Sequence, residues 1–239
     1  MRIAKKLLII ISGILIGLVA AFFIFIFDNY DAKETAKKYI NSSDTVKVTE
    51  EKEWFFFDGS GDDIALIFYP GARVEEIAYA RIMNEIAKEG IDCYIVKLPF
   101  RLALFNANGA DAIISKNNYK EIYVGGHSLG GVIAGNYAYE NMDKVTGLVL
   151  IESRVSVKLD DKLKVLSIYA TNDGILDKEK YEKAKEYLPK DFKEVIVEGG
   201  NHANVADYGH QKGDNQATIS KDEQQKLVVD SVIDFIKKL

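Results

Sequence analysis

Val124-Gly-Gly-His-Ser-Leu-Gly-Gly131 sits between an apolar run and a segment of helical pattern. A single serine surrounded by four glycines is either a tight turn or a side chain held out for chemistry. Gly126-His-Ser-Leu-Gly130 fits G-x-S-x-G, and its context is a strand ahead (Glu121–Val124) and a helix behind (Val132 onward). That is the setting of a nucleophile elbow, in which the serine occupies a strained strand-to-helix bend. The residues two before and two after the serine approach each other there, so both must be small, and both are glycine.

A serine hydroxyl needs a base to remove its proton. The chain has three histidines. His127 belongs to the elbow, with its side chain expected to point away from that of Ser128. His202, in GGNHAN just past the last predicted strand, is the first candidate, and His210, in YGHQKGD, the second. The imidazole needs a carboxylate to fix its tautomer. Asp173, in ATNDGIL, is well placed; Glu152 is the reserve and Asp177 a weaker choice. Two backbone donors are expected for the substrate oxyanion. Leu129 follows the nucleophile and supplies one; Ala72, in the loop YPGARV, supplies the other, with Gly71 as the alternative because Pro70 has no N–H.

Strand-like runs at Val46–Val48, Trp54–Phe57, Ile64–Tyr69, Cys93–Leu98, Ile122–Val124, Val145–Ile151, Val165–Ala170 and Val195–Val197 alternate, from the third onward, with helical patterns. Such alternation predicts a mostly parallel sheet with helices on both faces. The turn DGSGDD (58–63) suits an antiparallel hairpin between the second and third runs. Ser220-Lys-Asp-Glu223 reads as a capping box for a final helix carrying Leu227, Val228, Val232 and Ile236 on one side. Between the sixth and seventh runs only Glu152 and then SRVSVKLDDKLK intervene, which leaves no room for a helical cap domain. Phe100, Leu102 and Phe105 either line an acyl pocket or belong to the core.

These blocks together resemble the α/β-hydrolase superfamily, in its small, cap-poor bacterial carboxylesterase-like branch. The matching residues are Tyr69-Pro70-Gly71, Gly126–Gly131, Asp173-Gly174, Gly199–His202 and Tyr208–Asp214, within a likeness spanning roughly 64 to 239. The resemblance implies an eight-stranded sheet and a Ser128–Asp173–His202 triad, with no cofactor or metal. Pro-Gly stands where the superfamily often has His-Gly, which leaves the second oxyanion donor open.

The remaining features set limits. A net charge of −5 gives no basic surplus for nucleic acid. The lone Cys93, in an apolar run, reads as a buried inert thiol. Residues 7–27, LLIIISGILIGLVAAFFIFIF, carry no charge and are long enough to cross a bilayer. Arg2, Lys5 and Lys6 precede them and Asp28 and Asp31 follow, so the positive-inside tendency puts residues 1–6 in the cytoplasm and everything after Asp28 outside. The rival reading is a cleaved signal peptide with Val19-Ala20-Ala21 as the processing site. Gly13, Gly17 and Ala21 share the small-xxx-small spacing of a helix dimer face, the basis for an expected homodimer. The domain expectation is therefore anchor 7–27, stalk or linker 28–45 and hydrolase domain 46–239. The function expected is hydrolysis of a small acyl compound through an acyl-enzyme. The alternative is a hydrolase fold serving as a non-catalytic binding module of the cell envelope.

Overall fold

Runs rich in Val, Ile, Leu and Phe with no polar alternation are what a strand buried on both faces requires, and such runs supply the centre of the sheet. The computed structural model describes residues 2–61 and 63–237, without the side chains of 2–4, 8 and 24–26. Asp62 of the DGSGDD turn and the last two residues of the expected domain thus lie outside the described residues. The strands are β1 (Lys47–Glu50), β2 (Trp54–Asp58), β3 (Ile64–Tyr69), β4 (Asp92–Val96), β5 (Glu121–His127), β6 (Gly147–Ile151), β7 (Lys164–Ala170) and β8 (Lys193–Val197). They form one eight-stranded sheet in the order β1-β2-β4-β3-β5-β6-β7-β8. β1 and β2 pair antiparallel, as do β2 and β4, and the rest are parallel.

The hairpin expected between β2 and β3 is absent. β2 pairs with β1 and β4 instead, and β3 goes to the middle of the sheet between β4 and β5. The physical reason lies in the glycines. A Cβ on Gly59 would stand 2.3 Å from the Ala87 carbonyl oxygen, so this segment is a crossover pressed against the turn before β4. Glycine is there for close approach, not for a hairpin turn.

The helices are α1 (Arg2–Phe27), α2 (Glu34–Lys37), α3 (Ala80–Ala87), α4 (Gly109–Lys116), α5 (Leu129–Glu140), α6 (Lys178–Ala184) and α7 (Lys221–Lys237). One face of the sheet packs on a core containing Ile82, Met83 and Ile86 of α3 and Val228, Val232 and Phe235 of α7. The other packs on Ile113 of α4 and Ile133, Ala134 and Tyr137 of α5. The Ser220 hydroxyl caps α7 by accepting from the Glu223 amide at 3.1 Å. Leu227, expected on the buried side of α7, is exposed, and Val229 takes its place in the core.

Residues 28–45, expected as a stalk, run along the domain. Tyr30 forms a parallel bridge with Val74, and Ala32 and Ala36 are buried in the core. The stretch 5–23 of α1 has a mean hydropathy of 2.5 and, among the described residues, none that is buried.

Candidate active site

Parallel strands deliver their following loops to one edge of a sheet, and the chemically active side chains collect there. Ser128 follows β5, Glu152 follows β6, Asp173 lies just beyond β7, and His202 lies just beyond β8. Ser128 has φ 54° and ψ −123°, a region that costs a non-glycine residue about 1–3 kcal/mol unless its surroundings impose it. They do so here. The Ser128 amide donates to the Ile151 carbonyl at 3.1 Å, and the Ser128 carbonyl accepts from the Ser153 hydroxyl at 2.6 Å. A Cβ on Gly126 would meet the Gly130 carbonyl carbon at 2.4 Å, and one on Gly130 would meet the Tyr69 carbonyl oxygen at 2.1 Å. The bend therefore closes only with glycine at both positions.

Asp173 and His202 are brought together. His202 Nδ1 lies 2.7 Å from Asp173 Oδ2, and both side chains are buried. The other carboxylate oxygen, Oδ1, accepts from the Ile175 and Leu176 amides at 2.6 and 2.8 Å. Burial pushes the Asp173 carboxyl up. The His202 hydrogen bond and charge, with the two amides, outweigh it and hold the group below the usual carboxylate range. An ionised Asp173 can only accept, so Nδ1 of His202 carries a proton. Nε2 of His202 is buried and has no hydrogen-bond partner, so the Ser128 hydroxyl is not bonded to it.

His127 does not compete as a base. Tyr79 Oη accepts the Gly71 amide at 3.0 Å and lies 2.8 Å from His127 Nδ1, so the phenol donates its own proton to that nitrogen. Complete burial, and then the neighbouring His202, push the His127 imidazole well below its ordinary value and keep it neutral. Its ring lies 4.4 Å from that of His202, centroid to centroid, so it packs directly against that imidazole. His210 is exposed and stands apart from this cluster.

The same network separates the two candidates for the second backbone donor. The Gly71 amide is committed to Tyr79. The half-buried Ala72 has no acceptor for its N–H among the described residues. Leu129 supplies the first amide of α5, a position with no intrahelical acceptor.

Glu152 is fully buried at φ 45°, with Oε2 accepting the Ala170 amide at 2.9 Å. Burial first, and the Asp173 charge second, push its carboxyl well above the ordinary range. It is the neutral neighbour of Asp173, not an ionised substitute for it. Asp177 caps α6 by accepting the Lys180 amide at 3.1 Å. Cys93 is buried, and burial raises its thiol further.

One residue of this site was not singled out from sequence. Asp214 Oδ1 accepts the Gly174 amide at 3.0 Å and the His202 amide at 3.3 Å, while Oδ2 accepts the Ala203 amide at 2.9 Å. It clamps the Asp173 loop to the His202 loop. The signal lay in the Tyr208–Asp214 block, whose position in the fold sequence could not specify. Phe100 and Phe105, weighed as pocket or core residues, are 57% and 48% exposed, whereas Leu102 is buried.

Sheet order, elbow and carboxylate–imidazole pair define an α/β-hydrolase fold. The chain belongs to the alpha/beta hydrolase family, whose model matches residues 65–226. Family membership supports hydrolase activity. No curated protein matches the chain. Among solved structures it is similar to a predicted CIB-like hydrolase from Thermoplasma acidophilum, with 14% identity, 79% of this chain and 99% of that one covered, and a TM-score of 0.60. It is also similar to the carboxylesterase CesB (YbfK) from Bacillus subtilis, with 10% identity, 90% and 98% covered, and a TM-score of 0.60. Carboxyl esterase 2 (TmelEST2) from Tuber melanosporum gives 11% identity, 89% and 92% covered, and a TM-score of 0.59. At these identities the likeness is one of fold.

Proposed function

We propose that the protein is a serine hydrolase that cleaves a carboxylic ester through an acyl-enzyme on Ser128. The observation that carries this reading is the buried Asp173–His202 pair, whose remaining nitrogen is unpartnered on the same sheet edge as a serine held at φ 54°. With a proton held on Nδ1 by Asp173, His202 offers Nε2 as the base. Nε2 takes the hydroxyl proton as Ser128 Oγ attacks the carbonyl carbon, and Asp173 steadies the imidazolium. The hydroxyl and Nε2 are not hydrogen-bonded in the free protein, and catalytic hydrogen bonds often form only once substrate is bound. The amides of Leu129 and Ala72 receive the oxyanion. His202 then returns the proton to the leaving alcohol, and a water activated by the same nitrogen releases the acid.

The uncharged stretch 7–27 of α1 serves as a single membrane anchor, with the cytoplasm at the basic start of the helix and the hydrolase domain outside. Gly13 and Gly17 have open space where a Cβ would stand, which suits close packing against a second copy.

A fluorophosphonate probe and a panel of nitrophenyl esters test the chemistry. Wild type is expected to label and turn over; Ser128→Ala loses both while keeping the wild-type circular dichroism spectrum. Asp173→Asn leaves the fold but lowers kcat by about four orders of magnitude, because His202 loses the partner that sets its tautomer. Labelling that survives Ser128→Ala rules out this nucleophile, and a wild type that neither labels nor hydrolyses any ester leaves the fold as a binding module.

A further inference from the structure

The end of α1 and the catalytic residues share one edge of the molecule. Residues 28–33 leave α1 and lie directly on the Tyr69–Val74 loop that follows β3. The Tyr30 amide donates to the Arg73 carbonyl at 2.9 Å, and the Glu75 amide donates to the Tyr30 carbonyl at 3.0 Å. Asp28 pairs with Arg73 at 3.0 Å, and the Ala32 amide donates to Glu75 Oε2 at 2.7 Å. The chain then passes to the histidine side, where the Lys33 amide donates to the Asp207 carbonyl at 2.7 Å. A helix leaving the domain here leaves from beside the oxyanion loop, on the same edge as Ser128.

The loop after β4 lies on this edge too, and it is apolar. Phe100, Leu104 and Phe105 are 57%, 67% and 48% exposed. The Phe22 ring of α1 lies 6.5 Å from that of Phe100 and 6.4 Å from that of Phe105. Phe22 is five residues before the end of α1, so at 1.5 Å per residue these rings meet the helix about 7.5 Å back from its end. For a helix that enters a bilayer, that depth is the headgroup–acyl boundary, the zone in which interfacial apolar side chains settle. The loop is fixed in this position. The Arg101 carbonyl accepts the Arg73 amide at 2.7 Å, and its guanidinium meets Asp31 at 2.7 Å. A groove of about 380 Å3 between Phe23, Phe27, Leu98 and Phe100 marks the join.

We infer that Phe100, Leu104 and Phe105 form a second contact with the lipid bilayer, which with α1 holds the catalytic edge against the membrane surface, so that the substrate is an acyl ester dissolved in the bilayer. The occupant is lipid because the patch is continuous with the exposed apolar surface of α1. The substrate half rests on the serine hydrolase reading and on α1 as a spanning helix; the docking half rests on the second alone.

The test uses the full chain reconstituted in phosphatidylcholine–phosphatidylglycerol vesicles. Leu104→Cys, labelled with an environment-sensitive fluorophore, is read against Met142→Cys at the far edge; Cys93 is buried and does not compete. Brominated acyl chains are expected to quench the label at 104 and to spare the label at 142. A label at 104 that stays in water, or one that is shifted but unquenched as at a contact between two protein copies, overturns the docking. In the activity arm, the double variant Leu104→Glu/Phe105→Glu keeps turnover of a soluble short-chain nitrophenyl ester within twofold. It loses at least tenfold on a long-chain ester dissolved in the vesicles. Equal rates on the vesicle ester, or an equal loss on both, overturns the substrate half. A wild type that cleaves neither ester sinks the hydrolase reading together with the substrate half, while quenching at 104 still decides the docking.

Discussion

Glu152 brings a second carboxyl beside Asp173 in a space that water does not reach. Two adjacent carboxylates cannot both ionise cheaply when buried, so the environment divides the roles. Asp173, fed by two amides and an imidazole, stays charged; Glu152, with one amide, keeps its proton. Because the folded chain holds that proton above the ordinary value of 4.5, Glu152's contribution to stability is fully present below that pH. It is lost as pH rises from there toward the raised folded value, at a slope of at most about 1.4 kcal/mol per pH unit. Glu152→Gln keeps an acceptor for Ala170 and removes the titration. Denaturant unfolding should therefore show a gain for the variant over wild type that is larger at pH 8 than at pH 4.5; an equal difference at both would show that Glu152 ionises normally. From sequence, Asp173 and Glu152 were both candidates for the same role. Position after the seventh strand ranked Asp173 first and Glu152 as the reserve, but which of them stays ionised depends on how many amides each carboxyl meets, and that is not local to either residue.

Elements legible in the sequence were those whose pattern is local. All eight strands lie where the apolar runs predicted, and the elbow's two glycines meet the steric demand inferred from their spacing. What depended on pairing was hidden. DGSGDD has good turn chemistry, yet nothing in it says that β2 pairs with β4, because strand order is decided by which runs can be buried on both faces. α4 carries little local signal, because only Ala110 and Ile113 of its residues are buried, too few to set a period. Asp214 was likewise illegible, since its acceptors matter only once β7 and β8 bring their loops side by side. Its removal should act on position, not on chemistry. Asp214→Ala leaves the Gly174, His202 and Ala203 amides without this acceptor, and a shift of the imidazole of about 1 Å is enough to cost on the order of 100-fold. We expect kcat on a soluble ester to fall about 10- to 100-fold with KM changed far less, and Asp214→Asn to recover part of the loss. A KM effect alone would place Asp214 in the substrate pocket instead.

For the whole molecule, the informative segment is the one expected to be a stalk. A free linker would let the domain tumble away from α1. Residues 28–36 instead act as a strap, with Tyr30 bonded to the Tyr69–Val74 loop, Tyr30 and Tyr208 rings 5.7 Å apart, and Ala36 completely buried. Two truncations separate anchoring from folding. A fragment beginning at Asp28 removes α1, which buries nothing within residues 5–23; it should keep its melting temperature and its activity on a soluble ester. A fragment beginning at Thr45 also removes the four hydrogen bonds made by the Tyr30 amide and carbonyl and by the Ala32 and Lys33 amides. At about 1 kcal/mol net for each, less the entropy regained by the freed strap, the loss is on the order of 2–3 kcal/mol. That corresponds to roughly 5–10 °C in a chain of this size. The Tyr69–Val74 loop would lose its neighbour in the same step, so kcat should fall along with stability. A second fragment as stable and as active as the first would mean that the strap merely lies on the domain, and the proposed anchoring through α1 would then not set which edge of the sheet faces the bilayer.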